Sequence, residues 1–519
     1  MHPLLLMLVP LLGGVVIACS PSRTAKSTAL VTTLLAFALS VFVAIDFPGW
    51  GTEQWGLTFD APWLEAWGMS LSFGADSVAM LLVLLTTFLM PLSVLGSWTA
   101  VTHRRREFFA WLLVLQAAMT GVFLARDLMV FYVCFEFTLV PMYFLIAIYG
   151  STNRAKASLK FFVYTFTGSL LALAGFLYVG WAFAQEHGQW SFSIEALTAF
   201  ARTGLSSGES AMVLLALMAG FAVKVPLFPV HTWLPLAHTE APTAGSVLLA
   251  GVLLKLGTYG LYRFVLPMLP AAVVEYAPFI GVLSIIGILY AGLICWVQTD
   301  IKKLVAYSSV SHLGFCVLGL FALNPLGLQG SVLYMVNHGL STGALFFLIG
   351  MLYERYHTRD MNTVGGLAKV MPVWACFMVF FVLASVGLPG LNGFVSEFLC
   401  LIATFAAGAT GAYPGVLGPW YAAFAALGMI IAAMYLLMMV GKVVFGPLRE
   451  PDDHHAHDVL PVDLNTREIA VLVPLAIACV VLGVAPWIAT DAIAGSVTET
   501  LSAYPAAVDA ARDMLAVQH

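Results

Sequence analysis

Charged side chains are scarce in this sequence, and their scarcity excludes a water-soluble fold. Asp, Glu, Lys and Arg make up only 9% of the 519 residues, whereas 61% of the residues are apolar. A soluble domain usually carries roughly 25% charged residues. A chain with so few charges cannot cover a surface that faces water, so we expect a lipid bilayer to surround it. The sequence has no basic patch of the kind that indicates a nucleic-acid partner.

Cysteine pairs that could bind a metal or an iron–sulfur cluster are also lacking. The seven cysteines form no Cys-X-X-Cys pair, and all of them lie in apolar stretches. We therefore interpret them as reduced core residues. Nucleotide-binding and flavin-binding motifs are missing too. Any redox chemistry must belong to another chain, and no cofactor is expected in this one.

One histidine cluster offers a possible exception. His454, His455 and His457 lie among acidic residues in the polar loop 446–468. A metal site is conceivable there, but no second group of ligands stands out elsewhere in the sequence. We favour a solvated loop and predict no metal site.

Long apolar stretches fill most of the chain. A helix that spans a bilayer needs about 20 mostly apolar residues. Fourteen stretches fit this length: 3–19, 28–46, 77–99, 108–124, 127–149, 157–184, 209–231, 244–266, 272–297, 303–323, 330–352, 370–408, 417–445 and 469–488. The sequence therefore predicts an all-α polytopic membrane protein with about fourteen transmembrane helices.

The first stretch resembles a signal peptide, because the residues from Val16 to Cys19 look like a lipoprotein cleavage site. A signal peptide carries its positive charges before the apolar stretch. Here no Lys or Arg precedes the stretch, whereas Arg23 and Lys26 follow it. We therefore favour a first transmembrane helix over a signal peptide.

Basic residues are distributed unevenly among the loops. If the N-terminus lies outside, the inside loops hold sixteen of the 22 Lys and Arg residues and the outside loops hold four. Positively charged loops stay on the cytoplasmic side of a membrane. We therefore predict a multi-pass protein of a bacterial inner membrane, with both termini in the periplasm.

Four ionisable residues lie inside apolar stretches. Glu136 is in the fifth stretch, Lys224 in the seventh, Lys255 in the eighth and Glu397 in the twelfth. A charge within a bilayer is costly unless it is paired, so each of these residues is a candidate functional residue. The alternative is that they form two structural ion pairs that hold helices together.

Two of these charges lie beside a predicted helix break. Pro226 and Pro229 interrupt the seventh stretch after Lys224, and Leu388–Gly390 interrupts the twelfth ahead of Glu397. Proline removes a backbone donor and breaks or kinks a helix. Interrupted helices at matching positions are typical of inverted-repeat transporters. We predict two inverted five-helix repeats, helices 4–8 and 9–13, with helices 7 and 12 broken.

These repeats divide the chain into four parts. Residues 1–107 would form helices 1–3, residues 108–266 the first repeat and residues 267–445 the second repeat. Residues 446–519 would form an inside loop, helix 14 and a C-terminal tail.

Four histidines lie within or beside the repeats. His312 and His338 belong to adjacent helices between the eighth-helix lysine and the twelfth-helix glutamate. Imidazole can both accept and donate a proton near neutral pH, so we favour relay groups over hydrogen-bonded core residues. His231 and His238 follow the seventh-helix break. They either cap the chain there or line a proton entrance, and the sequence leaves both interpretations open.

At these residues the sequence resembles a known family, the antiporter-like membrane subunits of respiratory complex I, the proton-translocating NADH:quinone oxidoreductase. The resemblance covers nearly the whole chain. The motifs that carry it are Phe135–Glu136, Pro141–Tyr143, Lys224–Pro235, Ala241–Thr243, Lys255–Gly260, Gln298–Asp300, Ala306–His312, Asn337–Gly339, Leu388–Gly390 and Phe394–Phe398. Within the family the chain looks most similar to the M-type subunit, the counterpart of mitochondrial complex I subunit 4.

The resemblance implies a role for each buried charge. Glu136 and Lys224 would act as a pair between helices five and seven, Lys255 as the central lysine, and Glu397 as the terminal acid of helix twelve. Related subunits usually carry lysine at this last position, so the glutamate here points to the M-type. The implied activity is proton translocation through this Lys/His/Glu relay, coupled to quinone reduction elsewhere in the complex. The implied partners are other membrane-arm subunits, especially neighbouring antiporter-like subunits.

Two other interpretations remain open. A subunit of a multisubunit cation/proton antiporter, or of a membrane-bound hydrogenase, would share these helices and lysines. A structural scaffold in the membrane is the third. The scaffold predicts that neutral replacement of Lys224 changes assembly but not proton pumping.

Overall fold

Helices form almost the whole protein. The computed structural model describes residues 2–408, 415–451 and 462–509. Twelve of the described helices are long and apolar enough to cross a membrane, and three shorter helices are apolar as well. This confirms the prediction of an all-α polytopic membrane protein. The histidine cluster 454–457 lies outside the described residues.

We number the fifteen apolar helices in chain order. They are α1 Leu4–Cys19, α2 Ala25–Ile45, α3 Ser77–Gly96, α4 Arg105–Leu124, α5 Leu128–Tyr149, α6 Arg154–His187, α7 Ser207–Lys224, α8 Thr243–Met268, α9 Pro270–Trp296, α10 Ile301–Leu320, α11 Pro325–Tyr356, α12 Pro372–Val386, α13 Asn392–Ala406, α14 Pro419–Val443 and α15 Thr466–Val484. Shorter helices lie at Ile194–Gly204, Leu234–Glu240, Trp487–Thr490 and Ala494–Leu501.

Each predicted apolar stretch overlaps at least one of these helices. The twelfth stretch, 370–408, corresponds to two separate helices, α12 and α13. Since α1, α12 and α13 have only 16, 15 and 15 residues, the count of fourteen crossings stays a prediction. The inverted repeats and the four domain boundaries also stay predictions.

A β-hairpin occupies part of the segment 47–76, which lies between the second and third predicted apolar stretches. Strand β1, Leu57–Leu64, pairs antiparallel with strand β2, Met69–Ala75. Gly68 makes the turn with a positive φ of 65°, a conformation that costs glycine little. The hairpin was missed because both strands are short and β1 carries Asp60 and Pro62, residue types that are more typical of loops.

The seventh predicted stretch, 209–231, is interrupted where Pro226 and Pro229 predicted a break. Helix α7 ends at Lys224, and the short helix Leu234–Glu240 follows. Backbone carbonyls freed by this break find other donors. The Leu227 amide donates to the Ala222 carbonyl over 2.8 Å, and the Trp233 indole donates to the Val223 carbonyl over 2.8 Å. The helix break is therefore stabilised by specific hydrogen bonds and is not a frayed helix end.

A second break separates α12 from α13, as predicted at Leu388–Gly390. Gly387 caps α12 in the left-handed region with a φ of 84°. A side chain at Gly393 would overlap the Ala384 carbonyl oxygen, so the first turn of α13 lies directly against the last turn of α12. The prolines and glycines that suggested both breaks from sequence are thus located at them.

Two helices form the centre of the protein. The most apolar windows of α8 and α11 are completely buried inside the chain, whereas those of α2, α6, α14 and α15 are at most 39% buried. A helix that is apolar and buried on all sides belongs to a core. The candidate residues lie on and around these two central helices.

Candidate functional site

Lys255 lies at the centre of the site on α8, and its side chain is completely buried. Its Nζ donates to the Ala250 carbonyl and lies 2.7 Å from Nδ1 of His338 on α11. Ala250 belongs to a π-helical turn, Leu249–Leu253, inside α8. Single π turns inside α-helices occur frequently at functional sites. The turn and the histidine together give the buried ammonium group its polar partners.

Two histidines continue this polar arrangement from α11 to α10. The ring centroids of His338 and His312 are 6.0 Å apart, and both side chains are buried. The Nε2 atom of each ring has no hydrogen-bond partner among the described residues. Because imidazole can accept a proton on one nitrogen and release one from the other, two adjacent rings can pass a proton between helices.

Glu397 on α13 ends the arrangement. Its Oε1 accepts a hydrogen bond of 2.7 Å from the Tyr334 hydroxyl and lies 3.2 Å from Nδ1 of His312. The same His312 nitrogen is 2.8 Å from the Tyr334 hydroxyl. Glu397 is only 2% exposed, so these groups provide most of its polar surroundings. The four groups Lys255, His338, His312 and Glu397 therefore form a continuous series across α8, α11, α10 and α13.

The break between α12 and α13 positions the Glu397 carboxylate. A Cβ atom at Gly387 would lie 2.9 Å from Glu397 Oε2, so the glycine leaves room for that oxygen. Asn337 of α11 donates to the Asn392 carbonyl over 2.7 Å, and the Asn392 amide donates back to the Asn337 carbonyl over 3.2 Å. This reciprocal pair joins α11 to the first turn of α13.

A small polar cavity lies among these groups, bordered by His312, His338, Ser385 and Glu397. Its volume of about 10 Å³ is comparable to the space that one water molecule requires. The Ser385 hydroxyl and the Asn337 amide oxygen are both buried without a hydrogen-bond partner in this region. The cavity can therefore accommodate water within reach of both histidines.

Lys224 lies at the last residue of α7, apart from this series. Its Nζ is 3.5 Å from the Thr138 hydroxyl and 4.6 Å from the centroid of the Phe135 ring. Phe135 and Thr138, three residues apart, share one face of α5. A cation over an aromatic face gains electrostatic stabilisation even without a counter-ion.

The expected pair of Glu136 and Lys224 is not a direct ion pair. Both residues are described, and no salt bridge joins them; Glu136 Oε1 is buried without a hydrogen-bond partner. The physical reason is the rotation of α5. Phe135 and Thr138 face the lysine, whereas Glu136 lies about 100° around the helix from Phe135. The pairing that the resemblance implies therefore stays a prediction, that of an interaction between two charges with no direct bond between them.

Two glycines nevertheless bring Lys224 close to the helix that carries Lys255. A Cβ atom at Gly257 would lie 2.8 Å from the Val225 amide nitrogen and 3.0 Å from Lys224 Cβ. A side chain at Gly260 would overlap the Phe221 ring. The backbone of α7 therefore contacts α8 directly, with no side chain between the two lysine-bearing turns.

His231 and His238 form no hydrogen bond with the main series among the described residues, although His238 interacts electrostatically with Lys255 and His338. His238 is fully buried and stacks on the Phe346 ring with centroids 4.6 Å apart. Neither of its ring nitrogens has a hydrogen-bond partner among the described residues. His231 lies beside Phe228 and Tyr290, with ring centroids 5.9 and 5.8 Å away. The structure thus does not bring these two histidines into contact with Lys224 or Glu397.

Sequence reasoning missed several polar contributors to the site. Tyr334 bonds to His312 and Glu397. Asn392 and Ser396 both bond to Asn337, and Ser396 accepts its hydrogen bond over 3.2 Å. Tyr334 lies four residues before His338, on the same face of α11. That spacing was a usable signal, although a tyrosine in an apolar helix is common enough to be overlooked.

Comparisons with known proteins place the chain in a family. Residues 125–413 match the family model described as "NADH:quinone oxidoreductase/Mrp antiporter, TM". A relative from Rhodobacter capsulatus named NADH-quinone oxidoreductase subunit M is 41% identical over 490 residues, covering 93% of this chain and 92% of the relative. The chain belongs to the NADH:quinone oxidoreductase/Mrp antiporter family.

Solved structures agree with this membership. A chain of respiratory complex I from Thermus thermophilus with bound NADH has a TM-score of 0.83 and 30% sequence identity, covering 96% of this chain and 100% of that one. A chain of the Mrp complex from Dietzia sp. DQ12-45-1b also has a TM-score of 0.83, but with 22% identity and 98% coverage of both chains it shows the fold alone. The resemblance to antiporter-like complex I subunits is confirmed, and the relative named subunit M agrees with the M-type.

Proposed function

We propose that this chain is a proton-translocating membrane subunit of an NADH:quinone oxidoreductase. The observation that carries the proposal is the buried series Lys255–His338–His312–Glu397, in which neighbouring groups lie 2.7 to 3.2 Å apart or, for the two imidazoles, with centroids 6.0 Å apart. Each member can bind and release a proton. Ionisable groups inside a membrane bundle mark proton and ion pathways.

The proposed direction of transfer starts at Lys224 and passes to Lys255, the two histidines and Glu397. Lys224 would be filled from the face that carries Lys302, and Glu397 would release its proton towards the opposite face. Glu136 would act on Lys224 through the field of its charge and not through a direct bond. A neighbouring carboxylate favours the charged lysine, whereas burial favours the neutral lysine.

The energy required for each step is modest. Moving one elementary charge against 100 mV costs about 2.3 kcal/mol. A change of about two pKa units in the proton affinity of one relay group corresponds to about 2.7 kcal/mol. Conformational changes that move Glu136 relative to Lys224 can therefore supply enough energy for a proton transfer, with quinone reduction elsewhere in the complex as the source.

We further propose the surroundings of this subunit. Its partners would be other membrane-arm subunits, especially neighbouring antiporter-like subunits, within a bacterial inner membrane and with both termini in the periplasm. The predicted charge of the loops supports this orientation, because the basic residues Lys302 and Arg359 lie together on one face of the bundle, where they bond to the carbonyls of Ala241 and Thr239. Helices α4 to α8 and α9 to α14 would form the two inverted repeats.

A cation/proton antiporter subunit is the second candidate, because the Mrp chain has the same fold. The 30% identity to the complex I chain, against 22% to the Mrp chain, favours the first candidate. Affinity purification of the tagged chain from its native membrane separates the two. We expect NADH-binding and quinone-site subunits to co-purify and the preparation to reduce quinone with NADH. Co-purification of small Mrp-type subunits, with sodium/proton exchange and no NADH oxidation, would overturn the proposal.

A further inference from the structure

Two buried polar side chains on α4 have no hydrogen-bond partner in the part of the chain that the structure describes. Gln116 and Thr120 are both 0% exposed, and the Gln116 amide oxygen and nitrogen and the Thr120 hydroxyl all lack a partner there. Buried threonines in this protein usually bond within their own helix, as Thr86 does with the Leu82 carbonyl over 2.8 Å. A buried polar group without a partner is destabilising, so its presence requires a physical reason.

Contacts with α8 place these side chains near Lys255. Gln116, Thr120 and Phe123 are spaced at i, i+4 and i+7 and therefore share one face of α4. Phe123 packs on Tyr259 of α8 with ring centroids 5.2 Å apart, and its carbonyl accepts the Tyr259 hydroxyl over 3.2 Å. This contact shows which residues of α4 and α8 lie at the same depth in the C-terminal halves of the two helices.

Helices α4 and α8 run in the same direction. The Tyr149 hydroxyl donates to the Arg104 carbonyl before α4, and the Ser151 amide donates to the Glu240 carbonyl just before α8. Both helices thus begin beside residues 149–151. Two turns back from the Phe123–Tyr259 contact, Gln116 is level with the π turn whose Ala250 carbonyl binds the Lys255 ammonium.

A second contact, made by Gly121 on another face of α4, relates the height of these side chains to that of Lys224. A Cβ atom at Gly121 of α4 would lie 2.8 Å from the Cys134 sulfur of α5. Helices α4 and α5 are antiparallel, so one turn back along α4 corresponds to one turn forward along α5. That turn contains Thr138, the hydroxyl partner of Lys224 Nζ at 3.5 Å. Gln116 and Thr120 therefore lie at the level of both buried ammonium groups.

From this placement we propose that Gln116 and Thr120 form a water-binding site between Lys224 and Lys255. The glutamine amide offers two donors and one acceptor and the threonine hydroxyl offers one donor and two acceptor lone pairs, which suits bound water. Neither side chain exchanges protons readily, so both are positioning residues that orient water between the lysines. The inference rests on the proposed proton-transfer function and names the step that joins α7 to α8.

The test compares Gln116→Leu and Thr120→Val with Thr86→Val in the intact complex reconstituted into vesicles. Because the first two changes remove polar groups that bond to no protein group among the described residues, we expect native assembly and a melting temperature close to that of the unaltered complex. We expect NADH-driven proton pumping and quinone reduction to fall about fivefold, which corresponds to a barrier increase of about 1 kcal/mol for one lost hydrogen bond. Thr86→Val, which loses a bond that is satisfied within its own helix, should keep normal turnover.

A stable, assembled Gln116→Leu complex with normal pumping would overturn the inference. If Gln116→Leu does not assemble, the nearly isosteric Thr120→Val decides by the same readout. An electron-density or cryo-EM map of the complex that resolves water gives an independent test: ordered water bonded to the Gln116 amide supports the site, and dry apolar contacts around it contradict the site. A Lys255→Ala complex that pumps normally would instead remove the proposed function itself.

Discussion

The ammonium group of Lys255 lies 2.7 Å from Nδ1 of His338, although the two residues are 83 positions apart in the chain. This contact joins α8 to α11, the two helices whose apolar windows are completely buried. A lysine in such surroundings needs a partner that tolerates both its charged and its neutral form. A histidine meets that requirement, because its ring nitrogen accepts from an ammonium group and its other nitrogen can pass a proton onward.

Replacement of Lys224 on α7, or of Glu136 on α5, should impair the first step of proton transfer. For Lys224→Ala we expect an assembled complex that loses most NADH-driven proton pumping and quinone reduction, because a blocked step stalls a tightly coupled machine. Glu136→Gln should have a smaller effect, since Glu136 acts on Lys224 at a distance and not through a direct ion pair. Proton uptake and quinone reduction in vesicles, with assembly checked on a native gel, measure both. Equal loss of assembly in both variants, with normal turnover of what assembles, would favour a purely structural role for both residues.

Variants of Glu397 should rank by their ability to carry a proton. Glu397→Ala removes the acceptor of the Tyr334 hydrogen bond and the neighbour of His312, so we expect the largest loss of pumping. Glu397→Gln keeps the hydrogen bond but cannot bind a proton, so it should be nearly as severe. Glu397→Lys should be the mildest, because related subunits carry lysine at this position. A Glu397→Lys variant as inactive as Glu397→Ala would contradict this ranking, because it would show that a side chain able to bind a proton does not restore pumping.

Removal of the Tyr334 hydroxyl tests the positioning of the carboxylate. Tyr334→Phe would lose the bonds of 2.7 Å to Glu397 and 2.8 Å to His312 while keeping the ring and the helix packing. We expect turnover to fall about fivefold, the change that corresponds to one hydrogen bond of about 1 kcal/mol. Steady-state quinone reduction in vesicles measures this effect. Tyr178→Phe serves as the control. It removes a hydroxyl that bonds to Glu209 at the start of α7, outside the series from Lys255 to Glu397, and should leave turnover normal.

The break between α12 and α13 should not tolerate a side chain at its closest approach. Gly393→Ala would place a Cβ atom against the Ala384 carbonyl oxygen, so we expect poor assembly or a large fall in melting temperature. Gly441→Ala on α14 is the matched control. No atom lies near its added Cβ atom, and alanine is the better helix former by about 1 kcal/mol. Native gels and thermal melts of both variants check this, and a normally assembled Gly393→Ala complex would contradict the close packing of the break.

Much of the fold follows from the sequence because a bilayer imposes simple rules. Apolar length predicted the helices, and the missing amide of Pro226 and the glycines around Pro389 predicted the two breaks. The buried charges Lys255 and Glu397 were recognisable because ionisable groups are rare in apolar helices. The β-hairpin 57–75 escaped prediction, since short strands next to prolines and charged residues leave little periodic signal.

Pairings within the site were less predictable, because they depend on how each helix is rotated. The resemblance implied that Glu136 and Lys224 act as a pair, but it could not show that Phe135 and Thr138 occupy the face of α5 that meets Lys224. Tyr334 was missed because only the packing of α10, α11 and α13 brings it to His312 and Glu397. Residue types thus indicated which groups act, whereas their contacts required the tertiary structure.

The proton relay through Lys255 is the central claim, and one measurement tests it most directly. Proton pumping per NADH oxidised is compared in vesicles that contain the unaltered complex, the Lys255→Ala complex, or a control with the exposed loop lysine changed, Lys369→Ala. The relay predicts that assembled Lys255→Ala complex loses NADH-driven proton pumping, while the Lys369→Ala complex pumps normally. Normal pumping by a fully assembled Lys255→Ala complex would contradict the relay and leave a structural role for the buried lysine.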